Sequence, residues 1–381
     1  MATATQSYLL PGLPTDYYAP EYRVLVNGQA LHPDTKGDVL EVKVSMDIDN
    51  LTSFEMTINN WDDEKIEFKY SDSHTFDVGV GIEILMGYAD RVISMVKGQI
   101  TGLTPQFPAS GSPTLSITGL DAMFLLKDRK PGPGDQKIFV NMADVEIAQV
   151  IATRNQLQMK PTPIGIKHDQ VVQKNQDDAQ FLMERAKRID YDCFIANAPD
   201  TGLATLNFTP PTDSRAAQKA TYYEFKYGTS LISFTPKLTL SKQVSKLTVR
   251  GWDPKTKQSI VYTSTAADLP SGGKGASGPE AAGASFPDKQ EVVVDSPVTS
   301  AQEAHDLAVS LLRERAYEFL TGSGQVIGVP DLRPGDNLAL SGLGQRFSTN
   351  YYVLKVEHAL GSSGYLTSFE VRTAFDGGLA S

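Results

Sequence analysis

An approximate internal repeat constrains this chain more than any single motif does, because duplicated segments restrict the possible architectures strongly. The segment Phe76–Gly87 resembles Leu332–Gly342, and each contains a glycine turn followed by an alternating strand pattern. The spacing Gly79–Ile100 also equals the spacing Gly335–Val356, and both later residues fall in a predicted strand. The repeat predicts two similar β-barrels. Any two β-meanders share such spacings, however, so chance similarity stays open as the other interpretation.

Composition and charge limit the possible function classes. A chain of 381 residues exceeds the usual size of one domain, and 40% apolar with 21% charged residues is typical of folded proteins. Acidic residues outnumber basic ones by 45 to 35, and the net charge of -10 argues against a nucleic-acid-binding surface. The one cysteine, Cys193, excludes an intrachain disulfide and a zinc site built from paired thiolates.

The N-terminal sequence and the hydropathy pattern indicate where the chain is made. The N-terminus lacks a basic stretch followed by an apolar one, and no apolar run approaches the ~18 residues that a bilayer span needs. We therefore expect synthesis in the cytoplasm and no direct insertion into a membrane.

Hydrophobic periodicity predicts an α+β, mainly β chain of three domains. Residues 1–130 alternate apolar and polar positions between frequent turn signals, which predicts a first β-barrel. In residues 131–230 the period changes from two to nearly four, which predicts a helix-containing α/β insert. Residues 231–381 return to strand patterns and predict a second barrel with one helix.

Turn and capping signals add local detail. Asn27–Gly28 predicts a type I′ hairpin turn, since both residues tolerate positive φ angles. Residues 270–287 are rich in Gly, Ala and Ser and predict a mobile surface loop, because they bury too little apolar area to offset their ordering entropy. Three residue pairs predict helix N-termini: Asn141 with Asp144, Asn175 with Asp178, and Ser300 with Glu303.

A search for catalytic motifs returns mostly negative results, so we expect no catalytic, metal or cofactor site. Ser341 lacks the glycine two positions earlier that a nucleophile elbow requires. Gly273–Gly278 matches a dinucleotide fingerprint by letter, but it follows Pro270 rather than a strand and precedes no helical pattern. Asp62–Glu64 lacks the ligand spacing of a calcium loop. No distant carboxylate pair for acid–base work can be singled out.

The histidines are scattered and lack the spacing from which zinc hydrolases build a site. We expect them to provide surface or turn polarity. They are His32, His74, His168, His305 and His358.

Several segments, in a shared order along the chain, carry a family resemblance. They are Gly98–Leu103, Leu115–Leu126, Asp177–Arg188, Tyr191–Phe194, Val249–Pro254, Pro334–Gly344 and Tyr351–His358. Across nearly its whole length the chain resembles the late control protein D family of contractile phage tails, which includes the hub portion of VgrG proteins.

This resemblance implies a structural baseplate hub that works as a homotrimer. Two similar tube-type barrels per subunit would alternate around a channel, giving six near-equivalent positions that adapt a threefold spike to a sixfold inner tube. The implied partners are a spike, inner tube proteins and other baseplate components. Because only a few residues follow Phe375, we expect the spike to be a separate chain. The protein would be assembled into the baseplate of a phage tail or phage-tail-like particle.

In this interpretation a small group of residues forms structural turns and core or interface anchors. They are Gly79, Gly98, Gly119, Trp252, Gly335, Gly342, Tyr351 and Tyr352. Two alternatives stay open. A tail-associated peptidoglycan hydrolase requires two carboxylates that converge in a cleft. A carbohydrate-binding module requires aromatic side chains on an exposed sheet face.

Overall fold

The computed structural model describes residues 19–89, 91–127, 129–132, 134–197, 204–212, 222–270, 273–286 and 289–378. Strands dominate it, which confirms the prediction of a mainly β chain with some helices. The strands of the first region are β1 (Pro20–Val26), β2 (Gln29–Ala30), β3 (Val39–Asp47), β4 (Ser53–Asn59), β5 (Trp61–Asp62), β6 (Glu67–Phe68), β7 (Gly81–Tyr88), β8 (Arg91–Gln106) and β9 (Thr114–Asp121).

Helices occur in all three regions. They are α1 (Pro33–Gly37), α2 (Asp144–Arg154), α3 (Asp178–Arg188), α4 (Gly278–Ser285), α5 (Ala301–Tyr317) and α6 (Gly344–Phe347), with 3-10 turns at Ala122–Leu125 and Ala266–Asp268. No helix in the described ranges has the length and apolar content that crossing a bilayer requires.

The middle and last regions supply the remaining strands. Those of the middle region are β10 (Ile138–Ala143), β11 (Gln158–Met159), β12 (Lys167–Val172), β13 (Asp192–Asn197) and β14 (Ala204–Thr209). Those of the last region are β15 (Tyr222–Lys226), β16 (Leu231–Leu238), β17 (Lys246–Asp253), β18 (Gln258–Ser264), β19 (Gln290–Val293), β20 (Leu320–Ile327), β21 (Asn337–Ser341), β22 (Asn350–Gly361) and β23 (Gly364–Thr373).

One large sheet contains two sets of strands that pair in the same spatial order. The first set runs β3-β4-β9-β8-β7-β1 and the second runs β16-β20-β23-β22-β21-β15. The two orders match strand for strand, but β1 pairs with β7 antiparallel whereas β15 pairs with β21 parallel. The sets are joined through β22 and β3, so within the described residues they form one continuous open sheet.

The glycine turn that suggested a repeat has the same geometry in both sets. Gly79 and Gly335 have φ angles of 88° and 90°, which favour glycine. The Gly79 amide donates to the Ile100 carbonyl (2.8 Å), and the Gly335 amide donates to the Val353 carbonyl (2.9 Å). Ile100 and Val356 both lie in a following strand, β8 and β22, as predicted, while the carbonyl that corresponds to that of Ile100 belongs to Val353, three residues before Val356.

The predicted hairpin turn and one of the three predicted helix caps are present in the structure. Asn27 and Gly28 have positive φ angles and connect β1 to β2, which confirms the hairpin. Two predicted caps were wrong: Ala143 precedes α2 and Asp177 caps α3, where its carboxylate accepts from the Gln180 amide (2.7 Å). Ser300 does cap α5, as predicted.

The described part of segment 270–287 contains a helix, whereas a mobile loop was predicted over the whole segment. Ser277 caps α4, which begins at Gly278 and buries Ala282 completely. Small residues are needed here because a Cβ atom on Gly278 would lie 2.0 Å from the Gln243 side chain. The Gly and Ala content therefore reflects close packing.

The dinucleotide fingerprint does precede a helix, contrary to the prediction. The space before that helix is filled by the chain itself, since the Asp376 carboxylate accepts a hydrogen bond from the Ala276 amide at 3.0 Å.

Candidate assembly surface

The ladder between β22 and β3 joins the two strand sets and shows how they pack side by side. Lys355–Leu360 pairs antiparallel with Val42–Asp47 without a register shift. The side chains of this ladder that face the core are almost all buried. They are Val42, Val44, Met46, Val356 and His358.

Polar contacts across the join add specificity to the apolar ladder. Both guanidinium Nη atoms of Arg91 donate to the Asp331 carboxylate, at 2.8 and 2.7 Å. The Tyr88 hydroxyl donates to the Gly328 carbonyl at 2.9 Å. Bidentate arginine–carboxylate pairs constrain orientation as well as distance, so these contacts restrict the angle between the sets.

His358 lies at the centre of this join and is fully buried. Its Nδ1 lies 2.9 Å from the Tyr365 hydroxyl, and its Nε2 lies 3.1 Å from the Leu332 carbonyl. Burial, together with the nearby Arg333 charge, lowers the pKa of His358 to about 3. The prediction of surface or turn polarity was therefore wrong for this histidine, which is a neutral core residue.

Two of the sheet edges that have no partner strand within the described part of the chain belong to β16 and β8. Apart from an isolated bridge between Leu231 and Tyr227, β16 pairs only with β20, and β8 beyond Ile100 pairs only with β9. The side chains on the core-facing side of these edges are apolar yet half-buried or exposed. They are Leu103, Pro105, Phe107, Phe234, Pro236 and Leu238.

These edge residues were missed by the sequence analysis, although a signal was present. A proline inside a strand pattern marks an edge strand, because it cannot donate to a ladder on both sides. The Thr239 amide, just after β16, donates to the carbonyl of Phe319, just before β20. Because backbone nitrogens along a strand point alternately to its two sides, the nitrogen of Pro236 points away from β20, to the open side.

The predicted glycines lie at close approaches or turns. A Cβ atom on Gly98 would lie 1.9 Å from the Leu120 carbonyl oxygen, and one on Gly119 would lie 2.1 Å from the Phe54 ring. Gly342 has a φ of 79° and follows β21. The packing of β8, β9 and β4 thus requires glycine at positions 98 and 119.

The predicted aromatic anchors separate into two groups. Tyr351 and Tyr352 are buried, and the Tyr352 hydroxyl donates to the Asp192 carboxylate of the middle region. Trp252 is 55% exposed on β17, so it is not a core residue. Its role as an interface anchor stays a prediction. One exposed tryptophan does not make the aromatic face that a carbohydrate-binding module requires.

A cavity of about 320 Å³ lies between the middle region and α5. His168 occupies its wall, with Nε2 2.9 Å from the Asp144 carboxylate and Nδ1 2.8 Å from the Glu303 carboxylate. These two hydrogen bonds raise the pKa of His168 to about 9, and the His168 bond lowers the pKa of Glu303 to about 2. The His168 side chain is 12% exposed, contrary to the prediction of surface or turn polarity, and it links β12, α2 and α5.

Two of the carboxylates that line this cavity, those of Asp144 and Glu303, lie on either side of His168 as a hydrolase pair would, but their electrostatics oppose that role. A glycosidase requires one carboxylic acid with a raised pKa. The pKa of Glu303 is about 2, and the pKa of Asp144 is lowered by its hydrogen bonds to His168 and Arg185 despite its burial. Both groups are therefore ionised at neutral pH. Asp144, His168, Arg185 and Glu303 form an ion-paired cluster, here called the clasp, that connects β12, α2, α3 and α5.

We predict that the clasp makes stability depend on pH through His168. Folding favours the charged imidazole, so its contribution is complete below the unfolded pKa near 6.5 and disappears as pH rises through about 9. Denaturant titrations give the unfolding free energy of wild type and of His168→Gln at each pH. The difference between the two should decrease by about 2–3 kcal/mol between pH 6 and 9.5. The other titrating groups cancel in this difference, and a difference that does not change with pH would contradict the prediction.

A family model described as Alg8 N-terminal domain matches residues 18–362. No curated protein sequence matches the chain. Among solved structures, the 43 kDa tail protein of prophage MuSo2 from Shewanella oneidensis has a TM-score of 0.67 at 12% identity, covering 93% of this chain and 98% of that chain.

Two further structures have a similar fold. A tail protein from Neisseria meningitidis has a TM-score of 0.67 at 13% identity, covering 93% of this chain and 97% of that chain. The E. coli c3393 protein, a component of the type VI secretion system, has a TM-score of 0.55 at 12% identity, covering 93% and 76%. At these identities the likeness establishes that the chain has the fold of phage-tail and related secretion proteins.

Proposed function

We propose that this chain, which belongs to the family described as Alg8 N-terminal domain, is a structural baseplate hub of a contractile, phage-tail-like injection machine. In this role three copies form a ring that adapts a threefold spike to a sixfold inner tube. The observation that carries the proposal is the fold match to phage tail proteins over 93% of the chain.

The repeated strand order supports the symmetry part of the proposal. Each copy contributes two strand sets with matching order, so three copies supply six similar units around an axis. We propose that each set is one tube-type barrel unit on either side of the middle region, with the first boundary near residue 130 and the second before β15, earlier than the predicted boundary at 230. Gly79 and Gly335 then set strand direction at equivalent turns, Gly342 forms the turn after β21, and Gly98 and Gly119 permit close strand contacts.

The proposed role is non-enzymatic and consists of interfaces. Asp144 and Glu303, the carboxylates that flank His168, both have lowered pKa values, so neither supplies the protonated acid that the hydrolase alternative requires. Candidate partners are a spike protein, inner tube proteins and other baseplate components, and the assembled location is the baseplate of a phage tail or a phage-tail-like particle.

Binding to candidate partners tests this role. The purified chain is mixed with candidate spike and tube proteins and analysed by size-exclusion chromatography with light scattering. A complex containing three copies of this chain supports a hub. If the chain binds neither partner but clears a peptidoglycan suspension, the result contradicts the hub proposal and favours a peptidoglycan hydrolase.

A further inference from the structure

The cavity beside the clasp has a volume of about 320 Å³ and lies between the end of α3, the segment before β12, and α5. This volume is at the lower end of the roughly 300–1,000 Å³ range of small-ligand sites. Ile166 is 38% exposed there, so part of an apolar wall faces solvent, and a ligand with an apolar body would cover it. The apolar side chains of the wall are Val145, Ile166, Ile189, Leu307 and Val309.

The acidic side chains that line this cavity already have partners. The two carboxylates of the clasp are paired with its histidine and its arginine. Asp190 pairs with the Arg313 guanidinium at 3.3 Å, and Asp306 accepts a hydrogen bond from Gln302 at 3.0 Å. Each described acidic group of the wall is therefore engaged, and its charge opposes a bound anion less than an unpaired carboxylate would.

Arg188 is the cation of the wall that this pairing leaves over. Among the described residues, no acidic side chain forms an ion pair with it. Its Nη2 donates to the Pro297 carbonyl at 3.1 Å, which uses one of the five N–H donors of the guanidinium. Burial and the neighbouring Arg185 charge lower the pKa of Arg188. A partly desolvated cation without a counter-charge is costly, and a bound anion would relieve that cost.

We propose that this cavity binds a carboxylate carried on a short apolar chain, with the carboxylate on Arg188 and the chain against Ile166 and Ile189. An arginine fork pairs with a planar carboxylate through two parallel hydrogen bonds. A bare inorganic anion fits less well, because it would leave the apolar wall in contact with solvent. A free aliphatic acid and the C-terminus of a polypeptide share this chemistry. The inference does not depend on the proposed hub role.

Ligand-observed NMR titrations at pH 7 test the proposal with defined probes. Hexanoate should bind at least tenfold more tightly than hexanamide, since the amide has the same chain but forms no charge-assisted pair. Acetate should bind at least tenfold more weakly than hexanoate, because it lacks the chain that covers the apolar wall. A tetrapeptide that ends in valine and leucine distinguishes the two sources. Tighter binding of its free acid than of hexanoate identifies a polypeptide C-terminus, and the reverse order identifies a free acid.

Variants of the cavity wall test the two halves of the ligand separately. Arg188→Gln removes the charge but keeps an N–H donor, and it should weaken hexanoate binding at least tenfold. Lys187→Gln is the matched control, because Lys187 is exposed on the same helix and lies outside the cavity wall. It should bind hexanoate as wild type does. Ile166→Ser should weaken the binding of hexanoate but not of acetate, and its partial exposure keeps this test available if the Arg188 variant does not fold.

Three results would overturn the proposal. The first is equal affinity of wild type for hexanoate and hexanamide, and the second is equal hexanoate affinity of wild type and Arg188→Gln. The third is the absence of binding by both hexanoate and the free-acid peptide at millimolar concentrations. Each of these results leaves the hub proposal standing, since that proposal is tested by the mass and composition of assembled complexes.

Discussion

We expect the Asp178→Ala variant to lose about 3–5 kcal/mol of unfolding free energy, because it leaves a buried arginine unpaired. The Asp178 carboxylate is fully buried at the start of α3. It accepts hydrogen bonds from Arg154 (Nε at 3.0 Å), Asn155 (2.8 Å) and Gln173 (2.9 Å). Since Arg154 is itself 90% shielded, water cannot replace the lost carboxylate.

Chemical denaturation followed by far-UV circular dichroism measures this loss. Asp169→Ala is the matched control, because Asp169 pairs with Lys255 on the surface and surface ion pairs contribute little. The control should unfold at the wild-type midpoint. Equal midpoints for Asp178→Ala and wild type would show that the network does not hold the middle region together.

The Gly98→Ala variant should be the second strongly destabilised protein, with a loss of about 3 kcal/mol from overpacking. The added Cβ atom would lie 1.9 Å from the Leu120 carbonyl oxygen and 3.0 Å from the Asp121 Cα. These atoms belong to the paired strand β9 and cannot rotate away as a side-chain end would. The β8–β9 ladder must therefore shift locally.

Gly37→Ala provides the comparison, since no atom lies within 4 Å of the added methyl group. Thermal unfolding of both variants measures the difference, and only Gly98→Ala should unfold at a clearly lower temperature. If both variants unfold at the wild-type temperature, β9 tolerates the displacement and the close contact at Gly98 does not limit stability.

The sequence predicted those features that depend on local geometry or on strict periodicity. Asn27–Gly28 formed the expected turn because its positive φ angles are a local property. The repeated turn at Gly79 and Gly335 was found for the same reason. The strand after it was aligned three residues away from the structural counterpart, because the sequence does not show where hydrogen bonds fall.

Other features depend on tertiary contacts that one sequence does not display. The Gly- and Ala-rich segment looked mobile, although its small residues fit against Gln243 and Phe375. His168 and His358 looked like surface residues because their buried partners are distant in sequence. The unpaired edges at Pro105 and Pro236 were missed because the order of strands in the sheet, which places β16 at its border, depends on pairing between distant segments.

The solution mass of the purified chain tests the central claim most directly. Multi-angle light scattering should give three times the 41.4 kDa chain mass, alone or once a candidate spike is added. The mass should stay constant over a range of protein concentrations above the dissociation constant, since a closed ring does not grow further. A mass of 41.4 kDa at every concentration, with and without a spike, would contradict the hub account.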